Sequence, residues 1–153
     1  MNIMEKTSCS NKCSFQKSER LCSKRIIDQL FAGGNRSFAA YPIRAVFSPV
    51  DEGIEEPVAI LVSVSKKHFK RAVRRNRVKR QLREAYRLNK HILWQALKQD
   101  SMPKHLAVAF LWLSDDLVSS QVVESKVRNL LIRISEYYQK ELKNNEASVE
   151  SCK

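Results

Sequence analysis

The stretch RRNRVKRQLREAYR, residues 74 to 87, decides the reading of this chain. It holds seven cationic side chains in fourteen positions, interrupted by Val78, Leu82, Ala85 and Tyr86. At 100° per residue those four apolar residues fall within an arc of about 100°, while Asn76, Arg77, Lys79, Arg80, Arg83 and Arg87 spread over the opposite side. The spacing predicts a helix with one side packed on a core and the other left for a ligand. Arg74 and Arg75 break the pattern, because the wheel puts them over the apolar arc; they are expected at the helix N-terminus, projecting past a sheet edge or in the preceding loop. There, unpaired N–H groups and the positive end of the helix dipole add to guanidinium charge, which suits phosphate.

The charge is concentrated. From Lys66 to His91 twelve Lys or Arg stand against one acid, Glu84, so this segment carries +11 of the chain's net +12. Between 71 and 87 seven of the eight cations are Arg, although the chain has thirteen Arg and fifteen Lys, and Arg can hold a phosphate with two parallel hydrogen bonds. A merely solvated helix face would interleave acids, since like charges at i and i+4 (Arg71 and Arg75, Arg75 and Lys79, Lys79 and Arg83) each cost a few tenths of a kcal/mol. The partner indicated is a polyanion, nucleic acid before anionic membrane.

Outward from that helix, Ser23–Phe31 reads as a short amphipathic helix with Ser23 as candidate N-cap, stopped by Gly33 and Gly34. The run 38 to 47 (FAAYPIRAVF) reads as one strand with a bulge or edge at Pro42, 48 to 57 as its turn, and 58 to 64 (VAILVSV) as a central strand covered on both faces. A helix continues or restarts over 91 to 97, KQDSMPK breaks it, 106 to 113 (LAVAFLWL) is another buried strand, and 118 to 142 is a long amphipathic helix. The expectation is one α+β domain over 15–142, a two-layer sandwich of helices on a small sheet, with flexible tails at 1–14 and 143–153. No apolar run approaches the roughly 20 residues of a membrane helix, and the expected location is cytoplasmic. Cys9, Cys13, Cys22 and Cys152 are expected to be free thiols, since the first three lack a fourth ligand at zinc-finger spacing.

RRNRVKR (74–80) following VSVSKK (62–67) resembles the signature of the protein subunits of bacterial ribonuclease P, and FQKSERL (15–21) is similar to that family's N-terminal Phe, Arg, Leu pattern. The resemblance covers about residues 15 to 142. It implies a four-stranded sheet in the order α-β-β-β-α-β-α with a left-handed βαβ crossover, a topology shared with a ribosomal-protein domain, the extra strand lying between 41 and 65 around the acidic turn. It implies a ribonucleoprotein endoribonuclease whose catalytic centre and Mg²⁺ belong mainly to the RNA, with no protein catalytic residue, no metal site and no organic cofactor. The implied partners are the ribonuclease P RNA and precursor tRNA, with no membrane and a monomeric protein.

Carried over by that resemblance, Lys66, Lys67, Arg71, Arg74, Arg75, Asn76, Arg77, Lys79, Arg80 and Arg83 bind the RNA subunit. Phe15, Arg20, Phe31, Phe38 and Tyr41 line a cleft between the sheet and the N-terminal helix that takes the 5′ leader of precursor tRNA, aromatic faces in a cationic groove being suited to a variable single strand. On their own pattern Phe31 and Phe38 read equally well as core. Two departures stand out: the Gly-free HFKRAV (68–73), where relatives often have a shorter Gly-containing link, and Ile27, where a leader-facing aromatic is usual. A structural RNA-binding protein of ribosomal type remains an alternative, distinguished by the absence of an aromatic groove; a major-groove DNA binder is disfavoured because the helix spends one face on its own sheet.

Overall fold

The computed structural model describes residues 15–51, 53–98 and 105–151, with side chains as far as residue 144. The expected tail over 1–14, the break around 99–104, and Cys9, Cys13 and Cys152 lie outside the described residues.

The order after a single 3-10 turn at Lys17–Glu19 is α1 (Lys24–Phe31), β1 (Arg36–Ala40), β2 (Ile43–Val50), β3 (Val58–Ser63), α2 (Ala72–Asn89), α3 (His91–Ala96), β4 (His105–Trp112) and α4 (Ser120–Ser151). The four strands form one sheet in the spatial order β1-β2-β4-β3. β1 pairs with β2 and β2 with β4 in antiparallel fashion, whereas β3 runs parallel to β4 from Val58 opposite Leu106 to Ser63 opposite Leu111. That parallel pair requires a crossover connection, and α2 and α3 supply it.

One correction concerns the fourth strand. The run 38–47 is not one bulged strand but a tight hairpin, turning at Tyr41 and Pro42 through a cis peptide bond. The run therefore divides at Pro42, which has no N–H to give a ladder, and the extra strand, Ile43–Val50, lies inside the expected 41–65 with the acidic turn between it and β3. The helix predicted to end at Leu142 continues in the backbone to Ser151.

Alternation sorts the strand residues onto two faces. Ile43, Ala45, Phe47, Val58, Ile60, Leu106, Val108, Phe110 and Trp112 pack under α2, α3 and α4 with Val78, Leu82, Tyr86, Leu93, Val127, Leu130 and Ile134. The opposite face is narrower. There Ala59, Ala107 and Ala109 leave room for α1 to approach and seat Ile26 and Leu30, with Leu21 beside them. Gly33 and Gly34 end α1 with φ of 96° and 80°, a region open to glycine, and Asn35 Nδ2 donates to the Gln29 and Leu30 carbonyls at 2.6 and 2.8 Å. Ser23 stands at the N-cap position without a side-chain hydrogen bond. The helices thus cover most of one face, where Phe38 and Ala40 of β1 stay half-buried, and leave the other face half open.

Candidate RNA-binding surface

The apolar stripe of α2 lies where its rhythm predicts. Val78, Leu82, Ala85 and Tyr86 are all within 2 % of complete burial. Each buried aliphatic or aromatic side chain contributes on the order of 1.5–3 kcal/mol, so the helix is fixed in rotation about its axis. Burial pushes the Tyr86 hydroxyl far above the ordinary phenol range, and the Trp94 indole N–H donates to it at 3.2 Å. Two further buried residues carry no such rhythm: Gln81 donates through Nε2 to the Val118 carbonyl (3.0 Å) and Ser120 Oγ (3.2 Å), and Asn89 donates to the Ala85 carbonyl. Gln81 in this way ties α2 to the start of α4.

With that side spent on the core, Arg74, Asn76, Arg77 and Arg80 are exposed and Lys79 and Arg83 half-buried. Asn76, Arg77 and Arg80 line a groove of about 510 Å³ with Val73, Gln81 and Ser120. Arg74 and Arg75 lie in the first turn of α2, after Arg71 at the N-cap, so the helix begins earlier than the wheel argument requires. Arg75 is not simply projected outward: its Nη1 donates to the Phe69 and Lys70 carbonyls at 2.8 and 2.9 Å. This clamp shapes the Gly-free link. Phe69 is buried to 3 % exposure, and His68 Nδ1 lies 2.7 Å from the Asp115 carboxylate beyond β4. The loop is thereby anchored at three points, with Lys66, Lys67, Lys70 and Arg71 exposed on it.

Not every cation of the basic segment faces outward. Lys90 is 3 % exposed and pairs at 2.9 Å with Glu19, which is fully buried and also accepts the Gln16 backbone N–H. The Lys90 ammonium lies 4.7 Å from the centroid of the Trp94 ring. Arg87 forks onto Glu84, whose carboxyl that hydrogen bond and charge hold below the usual range.

The residues expected in the leader cleft separate into four places. Phe31, 49 % exposed, lines a groove of about 240 Å³ on the half-open face together with Ser37, Arg44, Val46 and Leu111, and Arg44 is steadied by Ser37 Oγ at 3.1 Å. Tyr41, 67 % exposed, stands at the β1–β2 turn. Phe38 does not join them: opposite Ala45 it points to the helix-covered face, stacks on Phe47 at 5.4 Å, and carries the Arg133 guanidinium 4.8 Å from its ring centroid. Phe15 and Arg20 lie at the far edge of the sheet. The Phe15 ring meets Tyr86 edge-on at 6.0 Å, and Arg20 bridges to Ile60 of β3. Arg44 and Leu111, absent from the sequence-derived set, were findable from strand alternation, which puts them on the face opposite Ala45 and Phe110. Ile27 packs half-buried against the smaller core cluster. Among the described residues Cys22 is an exposed free thiol, and no three His, Cys, Asp or Glu side chains are grouped to hold a metal ion.

The ribonuclease P family model matches residues 15–135. The chain belongs to the ribonuclease P protein family. It is 44% identical over 119 residues to the ribonuclease P protein component of Porphyromonas gingivalis, covering 78% of this chain and 85% of that one. It is 36% identical over 114 residues to the protein component of Chlorobaculum tepidum, covering 71% and 74%. Among solved structures it is similar to the ribonuclease P protein of Thermotoga maritima, with a TM-score of 0.59 at 24% identity over 75% of this chain and 96% of that one. The Staphylococcus aureus protein gives 0.60 at 18% identity over 80% and 99%. At these identities the two structural likenesses bear on the fold: a mixed α+β domain on an open four-stranded sheet. Membership of the family implies an RNA subunit as partner. Among the described residues no helix is long and apolar enough to cross a membrane.

Proposed function

We propose that this chain binds the catalytic RNA of ribonuclease P through the outward side of α2 and the anchored loop before it, and the 5′ leader of precursor tRNA in the groove between α1 and the half-open sheet face. The observation that carries the reading is the combination on α2 of a fully buried stripe with a guanidinium-rich opposite side. A helix that cannot rotate presents Asn76, Arg77 and Arg80 in fixed directions, so the entropy of ordering these groups is spent in folding and not in binding. Phosphates neutralised there release condensed counterions, which makes affinity steeply salt-dependent.

On the other face Phe31 offers a ring beside the Arg44 guanidinium. Any base can stack there while the cation holds the backbone, as an unselective single-strand site demands. The protein's work is then positional: it screens phosphate repulsion between two RNAs and holds the leader so that the mature 5′ end lies at the catalytic centre. Hydrolysis itself is assigned to the RNA, with Mg²⁺ held mainly by that RNA, and the protein acts as a cytoplasmic monomer until it assembles.

The test is cleavage of precursor tRNA by a bacterial ribonuclease P RNA at Mg²⁺ too low for the RNA alone. The added protein is expected to restore 5′ processing; no stimulation over RNA alone rejects the reading.

A further inference from the structure

The link 64–71, which holds no glycine, leaves the C-terminal end of β3, and β4, its parallel neighbour, ends on the same side of the sheet. The connection from β4 to α4, residues 113–119, therefore starts beside the link, and one contact joins the two. His68 Nδ1 lies 2.7 Å from Asp115 Oδ1. A carboxylate only accepts, so Nδ1 carries the hydrogen. The Asp115 side chain is otherwise in the open, at 79 % exposure, whereas that of His68 is 20 % exposed.

The 113–119 connection is itself held at both ends. The Leu113 N–H donates to the Pro42 carbonyl at 2.8 Å, the buried Ser114 accepts the Asp116 N–H at 3.0 Å, and the Val118 carbonyl accepts from Gln81 of α2. Asp115 thus stands between one fixed point on the sheet and another on the helix that carries Arg77 and Arg80. The first part of the link has fewer ties. Lys67 and His68 donate their N–H groups to the Ser65 hydroxyl and carbonyl, each at 3.1 Å, which are bonds within the link. Among the described residues, the tie from 66–68 to another element is the His68 ring on Asp115.

Charge alone disfavours an acid at this place. Lys66, Lys67, Lys70 and Arg71 are exposed along the link, and a polyanion that approaches them meets Asp115, with the exposed Asp116 next to it. Among the described residues neither carboxylate forms an ion pair with those four cations. The contribution of Asp115 is instead to order the segment that bears them. Backbone entropy is then lost on folding, and less remains to be lost when a ligand binds.

We propose that Asp115 is a positioning residue for the catalytic RNA: through His68 it fixes the course of the link and so holds Lys66, Lys67, Lys70 and Arg71 where the RNA backbone passes. This rests on the RNA-subunit reading of α2 and of the link before it.

The test is the affinity of the full chain for ribonuclease P RNA, with no tRNA present, for Asp115→Asn and Asp115→Ala. Melting curves by circular dichroism verify that each is folded. Both variants remove the negative charge, but only Asn keeps an oxygen that accepts the Nδ1–H. Asp115→Asn is expected to bind at least as tightly as the unaltered chain, and Asp115→Ala roughly 2–10-fold less tightly than Asp115→Asn, the worth of one hydrogen bond. The difference should vanish in a chain with Lys66, Lys67, Lys70 and Arg71 all replaced by Gln. In the free protein, tryptic cleavage after Lys66, Lys67 and Lys70, followed by mass spectrometry, should quicken in Asp115→Ala and not in Asp115→Asn. Equal affinities of the two variants, the mark of a carboxylate that only repels RNA, overturn the proposal. So does a difference that persists without the four cations, or equal cleavage rates. Failure of the unaltered chain to bind overturns the function reading as well, and is told apart because it shows before any substitution is made.

Discussion

Lys90→Met removes one partner of the Glu19 and Lys90 pair and keeps nearly the same side-chain length. In the unaltered chain the two groups are 2.9 Å apart, with side-chain exposures of 4 % for Lys90 and 0 % for Glu19. Without the ammonium, Glu19 retains the Gln16 N–H but no countercharge, in a place where water cannot reach it. Leaving a buried charge uncompensated costs about 3–5 kcal/mol. That is a large share of the roughly 5–15 kcal/mol that stabilises a typical domain. At about 2–4 °C per kcal/mol for a chain of this size, the melting temperature should fall by roughly 6–20 °C. Adding Glu19→Gln removes the orphaned charge while preserving an acceptor for the Gln16 N–H, and so should recover most of the loss. Urea denaturation followed by circular dichroism measures all three variants, and the cycle isolates the pair's coupling. A Lys90→Met protein within about 1 kcal/mol of the unaltered chain, or a double variant no better than Lys90→Met alone, refutes the reasoning.

Leu82→Ala opens a void beneath α2 at a fully buried position and should cost about 2–5 kcal/mol in the same denaturation assay. Arg77→Glu with Arg80→Glu should leave stability nearly unchanged, both side chains being exposed, yet abolish measurable assembly with ribonuclease P RNA and flatten the salt dependence of any residual binding. Phe31→Ala should cost about 1–3 kcal/mol in affinity for precursor tRNA with a long leader, the worth of one stacked base, and nothing for mature tRNA. Equal losses for both substrates place Phe31 outside the leader's path.

The sequence was most legible where two independent patterns coincide. In α2 the apolar period and the one-sided charge describe the same helix from opposite sides, and Val78, Leu82, Ala85 and Tyr86 lie where both require. The hairpin was obscured because apolar residues continue through Tyr41 and Pro42 without a polar turn, so composition marks no boundary there. Phe38, whose pattern read equally well as core, lies on the helix-covered face; one residue along a strand changes the face, and only the register opposite Ala45 fixes which. Lys90 entered only the charge count of the basic segment; its burial against Glu19, 71 residues away, is a contact no local pattern announces. Arg75 presented the converse difficulty, since its charge was legible but its hold on the Phe69 and Lys70 carbonyls depends on the path of the loop.

The central claim is that two surfaces of one small domain take two different RNAs. Cross-linking tests it directly, with a photoreactive group attached at Arg80→Cys or at Ser37→Cys in a chain whose four native cysteines are replaced by Ser, assembled with ribonuclease P RNA and precursor tRNA. The group at position 80 should mark the catalytic RNA and the group at position 37 the 5′ leader. Both groups marking the same RNA, or the group at 37 marking the catalytic RNA while that at 80 marks the leader, contradicts the account.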